Sequence, residues 1–365
     1  MLSDEELTAL LSITNSDRDE TTHAVTDHAD AIFTWDYEKG ARPALDKLYE
    51  KAKVSQWNGE TDLPWHLDVD PERDIEQMAG TFESFATQAD LSGTPFEKWS
   101  DRNWMDFNLE QHAWTLSQFL HGEQGALLCT AKIVETVPWI DAKYYAATQV
   151  MDEARHVEVF AKYLDTKIER KYPVNAHLGK LLDDIILDSR WDLTYLGMQI
   201  MVEGLALAAF GFMHALTAEP LLKQLLRYVM SDEARHVAFG VISLQKYYTG
   251  LTNAKMLKRQ EFAYEAAVRM RDRFMGQEVF ERMGVDVRDA LTLVNQDPGR
   301  PIFQAMLFSK IVPNCRKLGL LDRNDGWLRE RFTEMGVIGF EHWVDTGDEY
   351  ETMQLGADEL APAAS

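Results

Sequence analysis

Cysteine is nearly absent: Cys129 and Cys315 are the only two in a chain of 365 residues. That excludes a disulfide framework and a thiolate metal site, so any metal must be held by carboxylates and imidazoles. Basic residues are also in short supply, 37 Lys and Arg against 60 Asp and Glu, for a formal net charge of −23. Such a surface repels phosphate backbones and anionic headgroups, so neither nucleic acid nor a membrane surface is an expected partner. Alternating β-branched runs bounded by Asn-Gly or Asp-Gly turns are missing, which argues against a sheet. The apolar stretch Leu205 to Met213 is too short to span a bilayer, and Met1-Leu2-Ser3-Asp4-Glu5-Glu6 lacks the basic and apolar parts of a signal peptide. A cytoplasmic protein is the expectation.

What the chain does have is material for a large core, with 45% hydrophobic and 27% charged residues. Residues 1–82 read as an N-terminal arm and wrapping segment, with one short helix at Glu5 to Leu11 and an aromatic, charge-rich stretch from Trp35 to Trp65. From 83 to 283 apolar residues recur at helical spacing, broken by Pro138, Pro173 and Pro220, which predicts an antiparallel helix bundle. Residues 284–350 form a C-terminal helical extension, with helices expected around Phe303 to Leu318 and Trp327 to Met335. Residues 351–365 read as a flexible tail. The fold class is therefore all-α.

The block Asp152-Glu153-Ala154-Arg155-His156-Val157 returns unchanged 80 residues later as Asp232-Glu233-Ala234-Arg235-His236-Val237. At the same offset Glu123 matches Glu203, and Ala126-Leu127 matches Ala206-Leu207. A Glu and a His three apart project from one helix face, so each Glu-x-x-His supplies two ligands to one point. Glu123 and Glu153 are 30 residues apart with Pro138 midway. A reversal there gives arms of about 22 Å, which places both acids at one height. Glu203 and Glu233 repeat the arrangement around Ala218, beside a turn expected at Thr217 to Pro220. Two such hairpins gather Glu123, Glu153, His156, Glu203, Glu233 and His236 in one interior. Four carboxylates and two imidazoles suit two divalent ions, iron or manganese before zinc.

In this ordered set the chain resembles the ferritin-like di-iron carboxylate superfamily, whose bundles carry a Glu on each of two helices and a Glu-x-x-His on each of the other two. The doubled Asp-Glu-x-Arg-His is most similar to the catalytic subunits of bacterial multicomponent monooxygenases. The resemblance spans about 115 residues of motif-bearing helix, Glu123 to His236. It implies a ferritin-like four-helix bundle core with additional N- and C-terminal helical segments. It also implies two iron ions, with a manganese–iron pair as the alternative, dioxygen as co-substrate, and a homodimer. Asp152, Arg155, Asp232 and Arg235 would orient the metal-binding histidines, the aspartates accepting from the imidazole nitrogens that do not bind metal. Phe160 stands where ribonucleotide reductase small subunits carry a radical tyrosine, which disfavours radical storage. Leu207 replaces the monooxygenases' threonine, and Val229 the extra histidine of arylamine N-oxygenases.

The resulting expectation is a di-iron, oxygen-activating oxidoreductase, a monooxygenase or oxidase, acting on a small organic substrate. No flavin, nicotinamide or iron–sulfur motif is visible, so an external electron donor or reductase is implied. The competing readings are a ferroxidase or iron-handling protein and a purely structural metal-binding bundle. Glu135, Glu158 and His214 lack counterparts at the 80-residue offset and read as structural. Met201, Phe160, Phe210 and Phe212 read as core, with lining a substrate pocket as the alternative for some of them, since Gly122, Gly125, Gly204 and Gly211 thin the packing beside the metal helices. Trp35, Tyr37, Trp57 and Trp65 read as packing aromatics through which an electron path could run.

Overall fold

In the computed structural model, residues 2–13, 26, 31, 39–79, 91–296 and 300–352 are described. Trp35 and Tyr37, and most of the expected tail, lie outside them. Among the described residues there is no strand. Four long helices carry the repeated motifs: α4 (Asp101–Thr136), α5 (Ile140–Tyr163), α7 (Trp191–Leu216) and α8 (Pro220–Thr249). Before them come α1 (Asp4–Leu11), α2 (Pro43–Val54) and α3 (Pro71–Ala79), and between the two hairpins lies α6 (Ala176–Leu187). After α8 the chain continues as α9 (Asn253–Arg273) and a series of shorter helices. The single helix expected around Phe303 to Leu318 is two, Arg300–Leu307 and Ile311–Lys317.

Both hairpins reverse where their midpoints require. Helix α4 ends at Thr136 and α5 begins at Ile140, so Val137-Pro138-Trp139 makes the first turn. Helix α7 ends at Leu216, and α8 starts on Pro220, whose fixed φ and missing N–H suit the first helical position. The N-terminal segment pins both turns. Asp141 accepts from the backbone N–H groups of Gly40 and Arg42 at 2.6 and 2.9 Å, and the Arg42 guanidinium lies 3.6 Å over the Trp139 ring. At the second turn, Asp74 of α3 accepts from the Thr217 hydroxyl and from the N–H groups of Ala218 and Glu219. Helix α2 then lies across the outer faces of α5 and α8.

The apolar stretch is longer than Leu205 to Met213 suggests. Trp191–Leu216 has the length and composition to cross a membrane, yet 78% of its most apolar window is buried inside the protein. Neighbouring helices cover what a bilayer would otherwise cover. Within it, Leu196–Val202 is a π-helical stretch that ends on Glu203. The extra residue of a π-turn rotates the following side chain, and such turns recur at functional sites.

Of the four glycines read as thinning the packing, Gly122 alone opens onto empty space. A Cβ at Gly125 would meet Leu182 at 2.6 Å, and one at Gly204 would meet Ile311 at 3.3 Å. A close contact between α7 and α8 falls at a different glycine, Gly240, where a Cβ would lie 2.6 Å from Gln199 Cβ in the π stretch. Gly240→Ala is therefore expected to cost about 1–3 kcal/mol through overpacking. Gly122→Ala should gain up to about 1 kcal/mol from helix propensity. Chemical denaturation of the two variants checks the pair; equal effects would mean that α7 and α8 do not approach this closely.

Candidate metal centre

Six side chains converge between α4, α5, α7 and α8, and they are the six singled out by the repeat. Glu153, His156 and His236 are fully buried; Glu123, Glu203 and Glu233 are at most 4% exposed. One group of potential ligand atoms comes from Glu123, Glu153, His156 and Glu233 and another from Glu153, Glu203 and His236, the atoms of each lying within 4.8 Å of one another. Glu153 belongs to both. Glu135 and Glu158 are exposed, and neither they nor His214 join either group.

Both imidazoles present Nδ1 to the carboxylates. His156 Nδ1 lies 3.2 Å from Glu123, 3.4 Å from Glu153 and 3.2 Å from Glu233. His236 Nδ1 lies 3.1 Å from Glu153 and 3.3 Å from Glu233. The opposite nitrogens face the aspartates in a crossed pattern: His156 Nε2 is 3.1 Å from Asp232, and His236 Nε2 is 3.4 Å from Asp152. Each half of the repeat thus places its aspartate against the histidine of the other.

The arginines close this layer. Arg155 donates to Asp152 at 2.6 Å and to Asp232 at 3.0 Å, while Arg235 donates to Asp152 at 3.3 Å and also to Asp232. All four groups are at most 6% exposed. Asp152 and Asp232 thus lie between the histidines and the arginines, away from solvent.

Two contributions lie outside the repeat. Trp57, read as a packing aromatic, donates its indole N–H to Asp232 at 2.8 Å, stacks on Tyr228 at 4.9 Å and carries the Arg155 guanidinium 4.6 Å over its ring. Gln149 is fully buried and donates to Glu153 at 3.0 Å and Glu203 at 2.9 Å. It sits one turn before Glu153, a signal visible at i, i+4, but its counterpart at the 80-residue offset is Val229, so the repeat does not mark it.

Burial and the neighbouring Glu233 push the carboxyls of Glu123 and Glu203 well above the usual range. Burial opposes the charge of Glu153 too, but His236 and His156 outweigh it and hold its carboxyl low. His156 and His236 are likewise buried, yet the surrounding carboxylates raise both well above the ordinary imidazole value. Metal binding by carboxylates and imidazoles competes with protons. Oε2 of Glu153, Oε1 of Glu233 and Nδ1 of His236 lie within 3.2–3.4 Å of one another or of His156 but form no well-directed hydrogen bond, and Oε2 of Glu203 has no hydrogen-bond partner. Buried lone pairs left unmatched are costly. A cation bound here would satisfy them, and the oxygen and nitrogen donor set fits iron or manganese.

A small cavity of about 20 Å³ touches Glu123, Glu203 and Glu233 and is walled by Phe119 and Phe210. Phe160 stacks on Phe210 at 5.8 Å. Phe119 and Ala209 also border a larger, mostly apolar cavity of about 410 Å³ that includes Phe212 and His112. Burial lowers the His112 pKa and favours the neutral ring.

No protein-family model matches the chain, and no curated protein matches it. Among solved structures, it is similar to an R2-like ligand-binding oxidase with an aerobically reconstituted metal cofactor after photoconversion. The identity is 17%, over 77% of this chain and 98% of that one, with a TM-score of 0.47. A second structure, an R2-like ligand-binding oxidase with an aerobically reconstituted Mn/Fe cofactor, aligns at 17% identity over 83% of this chain and 93% of its own, with a TM-score of 0.40. The chemistry of this chain rests on its own residues.

Proposed function

We propose that the chain is a non-haem di-iron oxidoreductase that uses dioxygen on a small organic substrate. The observation that carries this reading is the overlap of the two ligand groups at Glu153, with buried ligand atoms within 4.8 Å of one another in each group and several of them lacking a well-directed hydrogen bond. Glu123, Glu153, His156, Glu203, Glu233 and His236 would hold the two ions, and a manganese–iron pair, as one of the solved oxidases carries, is the alternative filling. When bound, the reduced ions supply electrons to dioxygen and share the charge that develops. Asp152 and Asp232 fix the imidazoles with Nδ1 inward, and Arg155 and Arg235 keep both aspartates ionised and oriented. Phe119, Phe160 and Phe210 keep bulk water from the carboxylates on the cavity side. Monooxygenation needs two external electrons per turnover, which calls for a separate donor or reductase.

Iron-loaded protein, reduced without oxygen and then mixed with dioxygen, should consume it at a rate that changes when a suitable organic compound is present. Labelled dioxygen distinguishes the outcomes: label in the product for a monooxygenase, label only in water for an oxidase. A centre that merely oxidises and mineralises excess ferrous ion, indifferent to every organic compound, would establish the iron-handling alternative. Metal that raises thermal stability without oxygen uptake would establish the structural one.

A further inference from the structure

Arg273 stands in the last turn of α9, with 4% of its surface exposed, and borders the small cavity alongside Glu123, Glu203 and Glu233. Its Nε has no hydrogen-bond partner, its guanidinium lies 4.7 Å over the ring of Phe274, and among the described residues no carboxylate acts on its charge. Burial acts on it unopposed by any acidic neighbour and lowers its pKa to about 10, so it stays charged at neutral pH. The α9 carbonyl end offers a weak favourable field, a fraction of what a desolvated cation requires. The other arginines at the centre differ, because Arg155 and Arg235 are both bonded to Asp152 and Asp232.

Charge balance points the same way, given the two-metal reading above, on which this inference rests. Two divalent ions match four glutamates, and Arg155 and Arg235 match the two aspartates, while neutral imidazoles add nothing. Arg273 is then a surplus positive charge in a low-dielectric pocket, and one negative charge would balance it. Phe119 lines both this cavity and the apolar one of about 410 Å³, which Phe274, the residue after Arg273, also lines. The two cavities together offer a charged end and an apolar body.

We infer that the organic substrate is a monocarboxylate with an apolar body, and that Arg273 binds its carboxylate beside the metal centre. Guanidinium and carboxylate match in charge and in planar geometry, and a charge-assisted pair in a dry pocket is strong. Phosphate esters, carrying close to two charges, would overbalance the site.

Calorimetric titration of the metal-loaded protein, with dioxygen excluded, tests this with phenylbutyrate and its neutral isostere phenylbutyramide. The carboxylate should bind at least about tenfold more tightly, as expected for a bond to a charged group. R273Q should lose that preference while keeping wild-type metal content and an unchanged or higher melting temperature, because it removes an unpaired buried charge. R273K should retain part of the preference. No preference in the wild type overturns the inference. So does a preference that survives R273Q, which would assign recognition to the metals, and so does loss of metal or of stability in R273Q, which would make the arginine structural. Metal analysis before each titration separates the two claims: a chain that never binds two ions refutes the two-metal reading, whereas one that binds them without selecting the carboxylate refutes only the role of Arg273.

Discussion

Glu153→Ala should empty both metal positions at once, reducing bound iron from close to two ions per chain to nearly none. Glu153 is the residue common to both ligand groups, and the atoms it offers lie within 4.8 Å of the other members of each. Its loss leaves Glu123, His156 and Glu233 on one side and Glu203 with His236 on the other, without the carboxylate that joins them. It also leaves Gln149 with Glu203 as its remaining carboxylate partner. Glu123→Ala, which removes a member of one group, should reduce metal content less. Glu135→Ala and His214→Ala, outside both groups, should leave it unchanged. Plasma mass spectrometry on protein grown with iron measures all four variants. Wild-type occupancy in Glu153→Ala, or a full loss in Glu135→Ala, would show that the ions bind elsewhere.

The centre could be assembled from sequence numbers because its parts repeat. An identical block at an offset of 80, with Glu123 and Glu203 at equal distances from their partners, is a one-dimensional record of a pseudo-twofold arrangement, and Pro138 and Pro220 mark where the chain must reverse. Helical periodicity extends that reading to the four long helices. It does not extend to contacts between distant segments. That Asp74 and Asp141 pin the hairpin turns to the N-terminal segment leaves no spacing signal, since the partners are 143 and 101 residues away. Trp57 meets Asp232 across 175 residues. Gln149 was hidden for the opposite reason: it lies on the right helical face, but Val229 breaks its repeat. Arg273 lies beyond the repeat altogether, and only burial without an acidic partner distinguishes it from the other arginines of α9.

The crossed aspartates should differ in their importance. Asp232 accepts from His156, Trp57, Arg155 and Arg235. Asp152 accepts from Arg155 and Gln56 at 2.6 and 3.0 Å, and its contacts to Arg235 and His236 are longer, 3.3 and 3.4 Å. Asp232→Ala would leave two buried guanidiniums short of a counter-charge and free the His156 ring to turn. A broken buried pair costs about 3–5 kcal/mol, and loss of a group that orients a metal-binding histidine weakens metal affinity by about 10- to 100-fold. Asp152→Ala should show both effects at the lower end. Asp232→Asn keeps an acceptor for His156 and the shape of the side chain but not the charge, so it should recover metal affinity better than stability. The sign of any acid sensitivity follows from burial opposing, and Arg235, His156 and Arg155 outweighing that opposition, to hold the Asp232 carboxyl below its ordinary value. Its stabilising contribution is therefore present at neutral pH and is lost only as pH falls below the usual carboxylate range. Denaturation midpoints and competitive metal titration on the three variants test the scheme. If Asp152→Ala proves the more damaging, or if Asp232→Ala keeps both wild-type stability and wild-type affinity, the crossed contacts do not orient the histidines.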